Sequence, residues 1–277
     1  MKALPQFLQP VETVHPRTAD PDTARYVRSF LIMRTLVGVL GIALPILLVL
    51  VDGVWFDAGP LRESLSAYYY SGARELFVGG LSAIGVFLIT YKVAENNLDN
   101  TLSLLAGLSV VVVALFPTSR PSNLIGLTAL QNRWGESFVA GIHFVAAALF
   151  IFSLAVISYS FGKREGRPRE DGVPQRRSRR FWRTYHWICA ALILAAFLWS
   201  GVTELTDLGP SRSLLYGEVV AVWAFAASWL WKGLEIRTLL GGCDSRLCRW
   251  VIKRLAQPSA ERTRSPSDAS LSTGSLE

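Results

Sequence analysis

Read from its N-terminus, the chain alternates long apolar runs with short connectors that carry nearly all of the charge. A leader rich in Pro, Thr and Asp precedes the first run, which begins near Phe30. A helix needs about 20 mainly apolar residues to cross a hydrocarbon core about 30 Å thick, because lipid offers no partner to a backbone N–H or C=O. Six runs meet this requirement, at 30–51, 75–92, 101–116, 137–161, 184–201 and 214–231, the third being the shortest. The pattern predicts an all-α fold, an integral membrane bundle of six transmembrane helices. The polar leader is unlike the short n-region of a cleaved signal peptide, so the first run is expected to be retained as a span.

Basic residues near span ends are held in the cytoplasm. The connector 163–183 carries nine of them, among them Arg176, Arg177, Arg179 and Arg180, against Glu165, Glu170 and Asp171. Placing it inside puts both termini inside as well. Arg62, Arg74, Arg120, Arg133 and Arg212 then fall outside, and the other 23 of the 28 Lys and Arg lie inside. The expectation is a multi-pass protein of the cell (inner) membrane with both termini cytoplasmic. It divides into a cytoplasmic leader (1–28), the six-helix domain (29–232), a basic juxtamembrane stretch (233–257) and a tail (258–277) too poor in apolar residues to fold. Within the basic stretch, Leu247, Trp250, Val251 and Leu255 recur at helical spacing among Arg246, Arg249, Lys253 and Arg254. That spacing suits a helix lying on anionic lipid, and equally an ordinary stop-transfer segment.

Composition supports the membrane class: 51% of residues are hydrophobic, 18% are charged, and mean hydropathy is +0.34. Topology accounts for the net charge of +7, so membrane lipids are the expected partners, and nucleic acid is not. Cys189, Cys243 and Cys248 lack both C-x-x-C spacing and an even count, which points to structural thiols. The chain contains no phosphate-binding, dinucleotide, H-E-x-x-H or G-x-S-x-G motif and no internal repeat, and no cofactor is expected.

Candidate chemistry gathers at the outer leaflet. The connector Glu63 to Glu75 is rich in hydroxyls and charge and leads directly into the second run. The fourth run carries His143 about two turns below its outer end, and the sixth carries Glu218 near its own. Ionisable side chains at membrane depth cost about 2.5–3.5 kcal/mol and usually find a partner. Glu75, His143 and Glu218 are therefore expected to share a polar pocket that Tyr69, Arg74, Ser119 and Glu204 complete. The plainer alternative leaves the two Glu at the interface and makes His143 a helix-to-helix hydrogen-bonding group. Zinc held by Glu75, His143 and Glu218 is a further alternative. His186, beside Trp182 and Trp187, is expected to anchor at the cytoplasmic interface, and His15 lies in the leader. Gly79, Gly80 and Gly85 in the second run, with Ala140, Gly141 and Ala147 in the fourth, are expected to bring those two helices into contact.

The strings SLSAYYYSGARELFVG, ALFPTS, IHFVAAALF and EVVAVWAFAASWLWKG resemble a broad family of bacterial six-helix membrane proteins near the membrane domain of unknown function 998. More distantly they resemble the DRAM-type membrane proteins. The resemblance covers roughly residues 36–233 and implies the six-helix architecture without an established reaction. Motif matching singles out Ser66, Tyr68, Tyr69, Arg74, Glu75, Pro117, Ser119, His143, Glu218, Trp229 and Lys232. Tyr70, Ser71 and Glu75 stand where the family pattern often has other residues, which speaks against a metal. A fainter similarity to membrane hydrolases of the alkaline ceramidase and adiponectin receptor kind implies a metal-dependent lipid hydrolase, yet the second and third histidines of that group are missing here. The expected function is an outer pocket for a lipid head group or small polar ligand, with Arg74 as anion partner and Ser66, Tyr68, Tyr69, Glu75, Ser119, His143 and Glu218 around it. The alternatives are a proton-coupled transporter using Glu75, His143 and Glu218, and the hydrolase.

Overall fold

The computed structural model describes residues 21–56, 61–91, 98–121, 126–165, 179–206, 210 and 212–239. Over these residues the chain is helical, without strands. Its helices are α1 (Pro21–Leu50), α2 (Arg74–Thr90), α3 (Leu98–Leu115), α4 (Ala129–Trp134), α5 (Glu136–Glu165), α6 (Arg179–Thr206) and α7 (Ser213–Leu239). A wide turn, Val51–Trp55, continues α1, and a tight turn, Ser66–Tyr70, precedes α2.

The six long helices form a closed ring: α1 packs on α2, α2 on α3, α3 on α5, α5 on α6, α6 on α7, and α7 back on α1. Neighbours are antiparallel. The Gly72 amide, just before α2, donates to Asp52 after α1, Ser103 early in α3 donates to the Leu88 carbonyl late in α2, and Trp229 late in α7 donates to the Arg34 carbonyl early in α1. The ring thus has a loop end, near the Ser66–Tyr70 turn, and a basic end, where Arg34, Arg164 and Arg183 lie.

Leu48, Leu88, Val110, Leu154, Ile193 and Trp229 fill the interior. The outward faces are apolar too: Val145, Leu198 and Val202 are 62%, 63% and 57% exposed. A helix apolar on every side has no stable place facing water, and these faces suit hydrocarbon. Ile32–Trp55, Glu136–Arg164, Phe181–Glu204 and Ser213–Lys232 are long and apolar enough to cross a membrane. The other two expected spans are shorter. α2 has 17 residues, a length of about 26 Å at the α-helical rise, and the apolar part of α3 is Asp99–Leu115.

The ring order corrects the expected small-residue contact. α3 stands between α2 and α5, and the tight crossing is between α2 and α3. A Cβ placed on Gly107 would lie 2.7 Å from the Gly85 carbonyl oxygen and 2.8 Å from the Ile89 amide nitrogen. Gly80 lies under Leu44 of α1, whereas Gly79 and Gly141 have nothing within 4 Å. Other boundaries move as well. α1 begins at Pro21, inside the expected leader, and α5 and α6 extend into the basic connector, so that Lys163 and Arg164 close α5 and Arg179 and Arg180 open α6. The short α4 follows a capping box, in which the Thr128 hydroxyl accepts from the Gln131 amide at 3.3 Å and the Gln131 side chain accepts from the Thr128 amide at 3.0 Å. Cys189 is a buried free thiol. His15, Cys243, Cys248, positions 240–257 of the basic stretch and the tail 258–277 lie outside the described residues.

Candidate functional site

The segment 61–73 is folded into the loop end rather than draped over it. Two elements hold it. At the end of α1, the Asp52 carboxylate pairs with Arg62 at 2.8 Å and accepts from the Gly72 amide at 3.3 Å. At the start of α7, Arg212 donates to the Leu61 carbonyl at 2.9 Å, the Leu215 amide donates to the Glu63 carbonyl at 3.0 Å, and the Leu65 amide donates to Glu218 Oε2 at 2.6 Å. Between these ties the turn Ser66–Tyr70 buries Ser66, Ala67, Tyr68 and Tyr69.

The turn places Ser66 Oγ 2.9 Å from His143 Nε2 on α5. His143 Nδ1 is 2.7 Å from the Phe116 carbonyl oxygen at the end of α3. The preceding residue, Leu65, donates its amide to the Glu218 carboxylate. Two adjacent loop residues therefore tie α5 and α7 to the same segment at the end of the ring. Tyr70 donates to the Thr118 carbonyl at 2.7 Å and accepts from the Gln131 side chain at 2.7 Å, which ties the segment to α4 as well. Burial pushes the Tyr68 and Tyr70 phenols above their ordinary value, because a phenolate would lose its hydration there.

Of the expected pocket residues, Ser66, His143 and Glu218 come together, with Tyr68 buried beside them in the same turn. Arg74 and Glu75 are exposed at the start of α2. Arg74 donates to the Tyr69 hydroxyl at 2.7 Å and lies 4.4 Å from the Tyr69 ring centre. Ser119 and Glu204 are exposed. The alternative zinc set is not assembled: among the described residues no group of three His, Cys, Asp or Glu side chains is placed to hold a metal ion. The physical reason is that both His143 nitrogens already have protein partners, while Glu75 faces outward.

Asp52, Arg62 and Gln131 are site residues that sequence reasoning missed. Asp52 closes the first apolar run and its pairing with Arg62 was the one readable signal, an acid and a base ten positions apart across a turn. At the basic end a second polar cluster was missed. Arg34 is buried 4.7 Å from the Trp229 ring centre, 5.1 Å from that of Phe161 and 5.2 Å from that of Tyr91, and it donates to the Tyr91 hydroxyl. Asp99 of α3 pairs with Arg164 of α5 at 2.5 Å. His186 belongs here too, but not as an interfacial anchor: it is buried between α6 and α7, with Nδ1 2.8 Å from Ser228 Oγ.

Long helices apolar inside and out, in a closed ring with their buried charged and histidine side chains near its two ends, define a helical membrane protein. No protein-family model, no curated protein and no solved structure matches the chain.

Proposed function

We propose that the chain spans the cell membrane six times with both termini cytoplasmic, and that its opposite end holds a lipid head group or a small polar anion against the 61–73 segment. The six-membered antiparallel ring supports six crossings, since α2 and α3 stand side by side between α1 and α5 and complete the ring with the four longer helices. The basic residues at the Arg164 end support the orientation, and the resemblance to six-helix bacterial membrane proteins is in keeping with both. The observation that carries the ligand reading is Arg74: exposed at the rim and held by the hydroxyl and ring of Tyr69, a residue of the same turn whose Ser66 meets His143. A guanidinium held in this way offers its remaining donors to phosphate or carboxylate.

Lipid-resolved mass spectrometry of the detergent-purified protein tests the reading. Anionic lipid or a small anion should be retained by the native protein and fall about tenfold in Arg74→Ala, the loss of one charge-assisted contact. Equal retention in both refutes it. Reporter fusions after Gly162 and after Glu277 test the topology, and both should report the cytoplasm.

A further inference from the structure

At the basic end, α5 and α6 approach each other over a glycine. A Cβ placed on Gly162 would stand 3.0 Å from the Arg183 carbonyl oxygen, 2.5 Å from Trp187 Cδ1 and 2.6 Å from Trp187 Nε1. Lys163 follows Gly162 directly, so Lys163 and Arg183 leave two antiparallel helices at one level. That level is where the apolar stretches Glu136–Arg164 and Phe181–Glu204 meet at their basic ends. Tyr159 lies four residues before Lys163 and Trp187 four residues after Arg183. Because the two helices run in opposite directions, both rings fall one turn deeper than the two cations. The rings stack, with centres 5.8 Å apart and planes inclined at 24°. Lys163 Nζ lies 4.9 Å from the Tyr159 ring centre, and the Arg183 guanidinium carbon lies 5.4 Å from that of Trp187, so each cation rests on one ring of the stack.

This cluster is on the outside of the ring of helices. Tyr159 is 43% exposed and Trp187 39%, Lys163 is exposed and Arg183 half-buried. Seven residues further into each helix, Phe152 and Leu194 are exposed as well, which continues the apolar face below the rings. Among the described residues neither Lys163 nor Arg183 has an acidic partner. The ion pairs there join Arg62 to Asp52, Arg120 to Glu136 and Arg164 to Asp99. Two cations at the end of the spans, amphipathic rings one turn deeper and an apolar strip below them repeat the order of phosphate, ester and acyl chain in a phospholipid. Charge selects among phospholipids. A zwitterionic head group would bring a third cation to this pair, whereas an acidic one brings only the phosphate that both can bind.

We propose that Tyr159, Lys163, Arg183 and Trp187 form a surface site for one acidic phospholipid. Its phosphate lies between Lys163 and Arg183, its glycerol esters over the stacked rings, and an acyl chain along Phe152 and Leu194. The site is at the end opposite Arg74 and does not depend on the ligand proposed there.

The test uses the full chain in phosphatidylcholine nanodiscs that contain a small fraction of a photoreactive lipid, a phosphatidylglycerol or a phosphatidylcholine with the same diazirine-bearing acyl chain. After irradiation, the labelled residues are mapped by peptide mass spectrometry. The phosphatidylglycerol probe should label the Phe152 to Tyr159 and Trp187 to Leu194 stretches more than the phosphatidylcholine probe does. In Lys163→Gln with Arg183→Gln that labelling should fall at least about fivefold, the weight of one basic contact with an acidic lipid. Arg176→Gln with Arg177→Gln removes the same charge from the connector and should leave it in place. The readout is local to α5 and α6, so lipid held near Arg74 does not enter it. Equal labelling by the two probes in the native protein overturns the proposal, and that comparison needs no variant to fold. An equal fall in the connector variant also overturns it, since the attraction would then belong to the basic connector as a whole.

Discussion

Gly107→Ala probes the crossing of α2 and α3 with the smallest possible change. In a helix interior Ala is favoured over Gly by about 1 kcal/mol, so on propensity alone the variant gains stability. The structure opposes that gain. The added Cβ would stand 2.7 Å from the Gly85 oxygen, 2.7 Å from Ile89 Cγ1 and 2.8 Å from the Ile89 nitrogen, where ordinary contact begins at 3.4 Å. Two of these three are backbone atoms that no rotamer change can move. The helices must separate by about 0.6 Å, and overpacking of this kind costs about 1–3 kcal/mol, for a net loss of about 1 kcal/mol. Gly141→Ala is the matched control, because a Cβ there meets nothing within 4 Å. Thermal unfolding in detergent, followed by intrinsic Trp fluorescence, should place Gly107→Ala about 2–4 °C below the native protein and Gly141→Ala at or above it. A Gly107→Ala protein as stable as Gly141→Ala would show that the two backbones do not touch as described.

Other expectations follow from single contacts. Trp229→Phe removes the 2.8 Å bond to the Arg34 carbonyl and should cost about 1–3 kcal/mol in the same unfolding assay. Asp52→Asn loses the charge that pairs with Arg62 and binds the Gly72 amide; limited proteolysis within 61–73 should speed up about tenfold, equivalent to about 1.4 kcal/mol of easier opening. Tyr68 and Tyr70 are pushed above the ordinary value of 10.0 by burial, so the folded state binds those protons more tightly than the unfolded one. Their contribution is complete below about pH 10 and is lost as pH rises through the folded values. Phenolate absorbance and stability measured together should show a steeper alkaline loss in the native protein than in Tyr70→Phe.

The long apolar runs were legible because a spanning helix satisfies its own backbone and so depends only on local sequence. Depth was legible for the same reason: His143 and Glu218 could be set at one level by counting turns from the span ends. Which of these side chains meet was not. Ser66 and His143 are 77 positions apart, and their meeting depends on the ring order, which the lipid-facing and core-facing sides of equally apolar helices do not encode. That ambiguity also misassigned the partner of Gly85. His186 was placed at the interface from its Trp neighbours, although its position opposite Ser228 on the next helix sets its burial. The helix α4 was readable from Thr128 and Gln131 at capping-box spacing but is too short to show in a hydrophobic profile.

The bond from Leu65 to Glu218 joins positions 153 residues apart, and this has a consequence for assembly at the ribosome. At about 5–20 residues per second, the first hairpin waits roughly 8–30 s before its closing partner is synthesised. During that interval the Leu65 amide has no Glu218 carboxylate to receive it, so the loop end of a nascent chain is open to water and to quality-control proteases. Synthesis of α7 is thus the event that ends this exposure, and a chain halted before Ser213 should be degraded even though its first five long helices are already made.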